Sequence, residues 1–161
     1  VSGIAYADNY QIFMKVKGID GGSTDIKHKG WIDVETLSYG MANSGDLFGR
    51  SEVKDVSITK LLDRTSIRLY LALLSGEHIP EVNIELVSGD DAMVTFMSYS
   101  FFDVFFKSIN FDASEEDTML PLEQVSLNFA KVEWEFSEIG PDGKPGKKFE
   151  GGWDVKGNKK T

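Results

Sequence analysis

The chain has 161 residues, a formal net charge of −9 and no cysteine. That length suits one domain, able to bury roughly 68–70% of its unfolded surface without a staple. The missing cysteine excludes disulfides, thiolate metal sites and cysteine nucleophiles. The acidic balance argues against a broad nucleic-acid surface, and no run approaches the ~18 apolar residues of a membrane span.

The opening "VSGIAYADNY" has no initiator methionine. "AYA" before Asp8 resembles a small-residue cleavage site, but no charged region and apolar core precede it. The origin of this segment stays open, and residues 1–8 are expected to be flexible. "YQIFMKVKG" then alternates, with Ile12, Met14 and Val16 on one face of a strand. "GIDGGSTD" is a turn-rich loop. "GWIDVETLSYG" resumes the alternation, Ile32 and Val34 opposing Asp33 and Glu35. "MANSGDLFGRSE" reads as a loop and "VKDVSITKLL" as another strand.

"DRTSIRLYLALLSGEH" carries the helical period. Asp63 or Thr65 can cap its start, and Gly76 stands where a helix ends. Ile67, Tyr70, Leu71 and Leu74 form one apolar face, while Leu69 and Leu73 lie well round the other side. A helix apolar on two sides is buried on both, within the domain or against a second subunit.

"EVNIELV" is a strand with Val82, Ile84 and Leu86 on one face. "MVTFMSYSFFDVFFKSINF" is apolar on both faces, Phe102 and Phe106 on one and Phe101 and Phe105 on the other, as in a strand covered on both sides. Its length predicts a bend or bulge near Ser98–Ser100. "DASEEDTMLP" is an acidic loop. In "EQVSLNFAKVEWEFSE" the apolar face flips near Phe129–Ala130, as at a bulge or where a strand passes between sheets. "GPDGKPG" is a turn, and "KKFEGGWDVKG" a last strand. There Trp153 closes one end of the core, matched by Trp31, and Gly151 and Gly152 let backbone bend or approach closely. The expected fold is mainly β, one domain over 1–161: a β-barrel or two-sheet sandwich with one flanking α-helix at about 64–75.

Nothing in this pattern carries catalysis. His28 and His78 sit in polar loop contexts with no metal-ligand spacing. The nucleophile elbow and the Gly-rich phosphate loops are absent. Glu133 and Glu135 alternate on the polar side of a strand, where a solvated face is expected. No cofactor and no catalytic residue are assigned. Charge is uneven: residues 141–161 carry +3 and residues 1–140 carry −12. Enzyme, monomeric small-ligand-binding β-barrel and structural subunit are the three classes in play, and excess apolar surface without chemistry favours the last.

Five segments, "KHKGWIDVETLSYGMANSG", "VSITKLLDRTS", "LLSGEHIPEV", "LPLEQVSLNFAKVEWEF" and "PDGKPGKKFEGGWDVKGNK", stand in order from about Tyr10 to Lys160. In order and spacing they resemble the haemolysin-coregulated protein (Hcp) family of bacterial type VI secretion systems. The resemblance implies a β-barrel with a flanking helix that assembles as a hexameric ring. Rings stack into the inner tube of a contractile, phage-tail-like machine. Its partners are further copies of the chain, a VgrG-type spike protein, the contractile sheath and baseplate, and small effector proteins held in the lumen. The subunit is made in the bacterial cytoplasm and secreted through the machine, without inserting in a membrane. The loop "MANSGDLFGRSEVKD", which meets the neighbouring ring in the family, is shorter than in many relatives, and "SYSFFDVFFKSINFD" is more aromatic.

On this reading Leu69, Leu73, Phe102 and Phe106 are expected at the protomer interface. Asp46, Leu47, Phe48, Lys159 and Lys160 are expected where ring stacks on ring.

Overall fold

A computed structural model describes residues 9–45, 50–89 and 93–161. Its first strand, β1 (Tyr10–Val16), pairs antiparallel with β2 (Ile32–Val34). Met14, Val16 and Ile32 are buried beneath them, as the alternation requires. After Glu35 the chain continues as β3 (Thr36–Ser38), and Glu35 N–H donates to the Thr59 carbonyl. One extended run thus leaves the first sheet and enters a second. A small hairpin, β4 (Met41–Asn43) with β5 (Ser51–Val53), leads to β6 (Val56–Leu61), which pairs with β3.

The helix α1 (Ser66–Ser75) ends at Gly76, whose φ of 66° is left-handed and whose position suits a residue without a Cβ. Glu77 N–H reaches the Ala72 carbonyl across that cap. Asp63 Oδ1 accepts from both the N–H and the hydroxyl of Thr65, fixing the entry to the first turn.

Next come β7 (Ile79–Ser88) and the 18-residue β8 (Thr95–Asp112). β8 is the spine of the fold. Its first half lies between β7 and β10 (Lys131–Ile139); its second half pairs with β9 (Leu122–Asn128). Beside the predicted bend or bulge the register of β8 does slip, at Phe96 between Thr95 and Met97, and a sharper change lies further on. Asp103 adopts a φ of 52°, and the register slips again between Phe106 and Ser108. At Asp103 the inward parity changes: Phe101 points into the core before it, Val104 and Phe106 after it. An apolar pattern on both faces therefore reflects one strand that changes sides, not a strand covered on both sides. Phe105 and Phe111 remain exposed.

The flip at Phe129–Ala130 is the passage from β9 to β10, and hence from one sheet to the other. β11 (Pro145–Asp154) pairs with β10, and the short β12 (Lys159–Lys160) pairs with β11. A Cβ on Gly152 would collide with Thr161 and the Val132 carbonyl, so the expected close approach is real there. Trp153 is half-buried against the core, while Trp31 lies edge-on to His28.

The strand order β12-β11-β10-β8-β7-β1-β2 forms the long sheet, and β8-β9-β6-β3 the shorter one. The two share β8 and the β2–β3 run, so they make a sandwich continuous at its corners rather than a closed barrel. Side chains from both sheets, with Leu69 and Ala72 of the helix, form one hydrophobic core.

Candidate assembly surfaces

The helix divides the expected interface residues sharply. Leu69 is 1% exposed and Phe106 4%, both packed inside the core of their own chain. The expectation that they face a neighbour is therefore corrected: a side chain already surrounded by its own protomer has no surface left to offer. Leu73 is half-buried against the core and Phe102 half-buried with the Lys131 ammonium 5.0 Å above its ring. The opposite face of the helix is the open one. Ile67, Leu71 and Leu74, spaced to fall on one stripe, are 72%, 57% and 80% exposed. Three large aliphatic groups on one exposed stripe make a contiguous apolar patch of the kind that marks interaction sites.

Beside that stripe, Leu62, Tyr70, Leu73, Leu74, Ile109 and Phe111 line a groove of about 520 Å³ between the helix and the second half of β8. After Phe111 the chain exposes Met119, Leu120 and Leu122, which line a separate, smaller pocket with Asp112 and Asp117. A second exposed apolar feature stands on β10 and β11. Phe136 and Phe149 are cross-strand partners, 42% and 48% exposed, with ring centroids 6.4 Å apart. Lys147 Nζ sits 5.2 Å from the Phe149 ring, and Lys148 pairs with Glu135 at 3.1 Å.

The helix is aimed by a buried ionic cluster that the pattern analysis missed. Lys60, fully buried, donates to Glu123 Oε1 at 3.1 Å, to the Leu61 carbonyl at 3.0 Å and to Ser66 Oγ at 3.2 Å, and lies 3.0 Å from Asp63 Oδ1. Glu123, 1% exposed, also accepts from the Ser66 hydroxyl, and from Tyr70 at 2.6 Å. That last bond, with burial, pushes the Tyr70 hydroxyl up to about 12. A signal for the pair was present: Lys60 shares strand parity with Val56 and Ile58, and Glu123 with Val125 and Leu127. Two charges on the inward parity of two paired strands belong together, because an unpaired buried charge is prohibitive.

His28 is likewise not the polar loop residue expected. It is 2% exposed, stacked on Phe13 at 4.4 Å, with Nδ1 2.7 Å from Asp25 and Nε2 2.9 Å from Glu85. It pins the loop after β1 to β7. His78 is exposed and paired with Asp103. Burial, then the neighbouring Asp63 and Asp25 carboxylates, raise Asp33 above the ordinary carboxylate range. Glu133 and Glu135 face solvent in ion pairs with Lys131 and Lys148. Among the described residues no cluster of three metal-ligating side chains occurs, and no helix is long and apolar enough to cross a membrane. Of the expected stacking residues, Lys159 and Lys160 are exposed on β12, and Asp46, Leu47 and Phe48 lie outside the described residues.

Comparison with known proteins agrees with this architecture. Residues 13–136 match the family model described as "Type VI secretion system effector, Hcp". "Protein hcp1" of Pseudomonas aeruginosa is 30% identical over 156 residues, covering 91% of this chain and 96% of that protein. A solved "type six secretion system protein" superposes with a TM-score of 0.90 at 28% identity, over 95% of this chain and all of the other. Hcp1 from Salmonella typhimurium does so with a TM-score of 0.80 at 27% identity, over 94% and 99% of the two chains. The sandwich with its flanking helix and the sequence match over most of its length agree: this chain belongs to the Hcp family of type VI secretion systems.

Proposed function

We propose that the chain acts by assembling: six copies close into a ring, and rings stack into the inner tube of a type VI secretion machine. The observation that carries this reading is the apolar stripe of Ile67, Leu71 and Leu74, left uncovered by a protomer whose core is otherwise complete. Family membership supports the tube as its use. The work is mechanical rather than catalytic. The tube meets a VgrG-type spike at its tip and a contractile sheath and baseplate around it, and carries small effectors in its lumen. The subunit is made in the bacterial cytoplasm and leaves through the machine. Lys159 and Lys160, with Asp46, Leu47 and Phe48, contribute to stacking, a head-to-tail contact that does not close and so extends.

Light scattering and electron microscopy of the purified protein test the reading. Sixfold rings are expected, and Leu71→Asp with Leu74→Asp should reduce them to folded monomers, since charge placed in a dry contact goes unpaired. A wild-type protein monomeric at every concentration, the behaviour of a small-ligand-binding barrel, overturns it.

A further inference from the structure

A ring built head to tail joins two different surfaces of each subunit, so every protomer needs a socket and a separate projection. The socket is the groove beside α1. Its floor is apolar, from Leu73 and Leu74 of the helix to Ile109 and Phe111 of β8. Its border is acidic: the exposed segment from Asp112 to Asp117 holds Asp112, Glu115, Glu116 and Asp117, and no basic residue. The matching projection carries apolar groups with positive charge beside them. Phe136 and Phe149 form such a pair: Lys147 Nζ lies 5.2 Å from the Phe149 ring, Lys144 is exposed in the turn before β11, and Lys148 is held by Glu135.

Resting on the ring reading, we propose that the β10–β11 ribbon of one copy docks in the helix groove of the next, with Phe136 and Phe149 on Leu74 and Phe111 and Lys147 on the acidic border. The dimensions allow it, because an apolar cavity of about 150 Å³ takes one benzene ring and the groove offers about 520 Å³. The topology favours it too. β8 pairs with β10 only as far as Phe136, while β10 and β11 continue together to Ile139 and Pro145, so the ribbon runs past the sheet. Ribbon and groove also belong to different sheets, the ribbon at the β12 end of the long one and the groove against the second half of β8. One copy thus presents both halves of the contact facing different neighbours.

The chain has no cysteine, so introduced thiols are unique. Leu74→Cys and Phe149→Cys, both at exposed positions, are installed singly and together, and joined with a short bis-maleimide. The double variant should give a ladder of covalent species ending at the ring's full count. Each single variant should give monomer alone, and the two singles mixed should give dimer and nothing larger. Covalent dimer from Leu74→Cys alone would mean a helix-on-helix contact and overturns the proposal. So does a double variant that stays monomeric on the gel while light scattering finds rings, an outcome that leaves the ring reading standing. Absence of any assembly in the uncrosslinked protein overturns the ring reading itself.

Discussion

Replacing Lys60 with Met tests the cluster beneath the helix. Methionine keeps the length of the lysine stem, so little cavity forms, and the change isolates the ammonium. Its loss leaves Glu123 at 1% exposure with no cation within reach except through solvent. Removing one partner of a buried pair costs about 3–5 kcal/mol. Ser66 and Tyr70 still donate to the carboxylate, which places Lys60→Met at the lower end, about 3 kcal/mol. For a domain of this size that lowers Tm by roughly 6–12 °C. Adding Glu123→Gln removes the orphaned charge: the amide oxygen still accepts one of the two hydroxyls, and the amide NH2 donates to the oxygen of the other. The double variant should therefore recover most of the loss. Urea unfolding reads both, at fixed protomer concentration in the Leu71→Asp, Leu74→Asp background, so that assembly does not add to apparent stability. A Lys60→Met loss below about 1 kcal/mol, or a double variant no better than the single, refutes the assignment of the pair as mutually dependent buried charges.

In the same assay Leu69→Ala should cost about 2–5 kcal/mol, whereas Ile67→Ala should change protomer stability by less than about 0.5 kcal/mol, and in the otherwise unchanged chain it should weaken only the ring. The Tyr70 hydroxyl titrates higher folded than unfolded, so its contribution is complete below about pH 10 and lost as pH rises toward about 12; the stability gap between wild type and Tyr70→Phe should narrow over that range. His28→Ala removes the imidazole that bridges Asp25 and Glu85 and should cost about 1–3 kcal/mol, while His78→Ala at an exposed site stays within about 0.5 kcal/mol. Lys159→Glu with Lys160→Glu should shorten tubes in electron micrographs without breaking rings, and added salt should do the same to the wild type; tube length indifferent to both would assign stacking to apolar contact.

Much of this molecule is written in local pattern. The alternation of Ile12, Met14 and Val16, the Gly76 stop and the face change at Phe129–Ala130 all depend on neighbours in sequence, so periodicity finds them. What periodicity leaves undecided is which of two apolar helix faces turns inward. Ile67 and Leu69 look alike in the sequence; the choice comes from Ser66, drawn under the helix by Lys60 and Glu123 from strands 6 and 57 positions away. The kink at Asp103 is similarly nonlocal. A left-handed aspartate is uncommon, and only the change of partner strand from β7 and β10 to β9 asks for one. The lysine neighbours of His28 suggest a polar loop, but its environment is made by Phe13 and Glu85 on other strands.

The long strand β8 also bears on how the protein is made. Its hairpin partner β9, with β7 and β10, pairs with it directly, and the remaining strands of the two sheets join through these three. That hairpin closes locally, across the segment between Asp112 and Leu122, at small entropic cost. The pairings β1 with β7 and β6 with β9 span far larger separations and are slow to form unaided. On the ribosome β1 to β6 emerge first, before the strand that would organise them exists. The early half must then wait as an uncommitted chain, and the domain condenses only once the late hairpin has zipped.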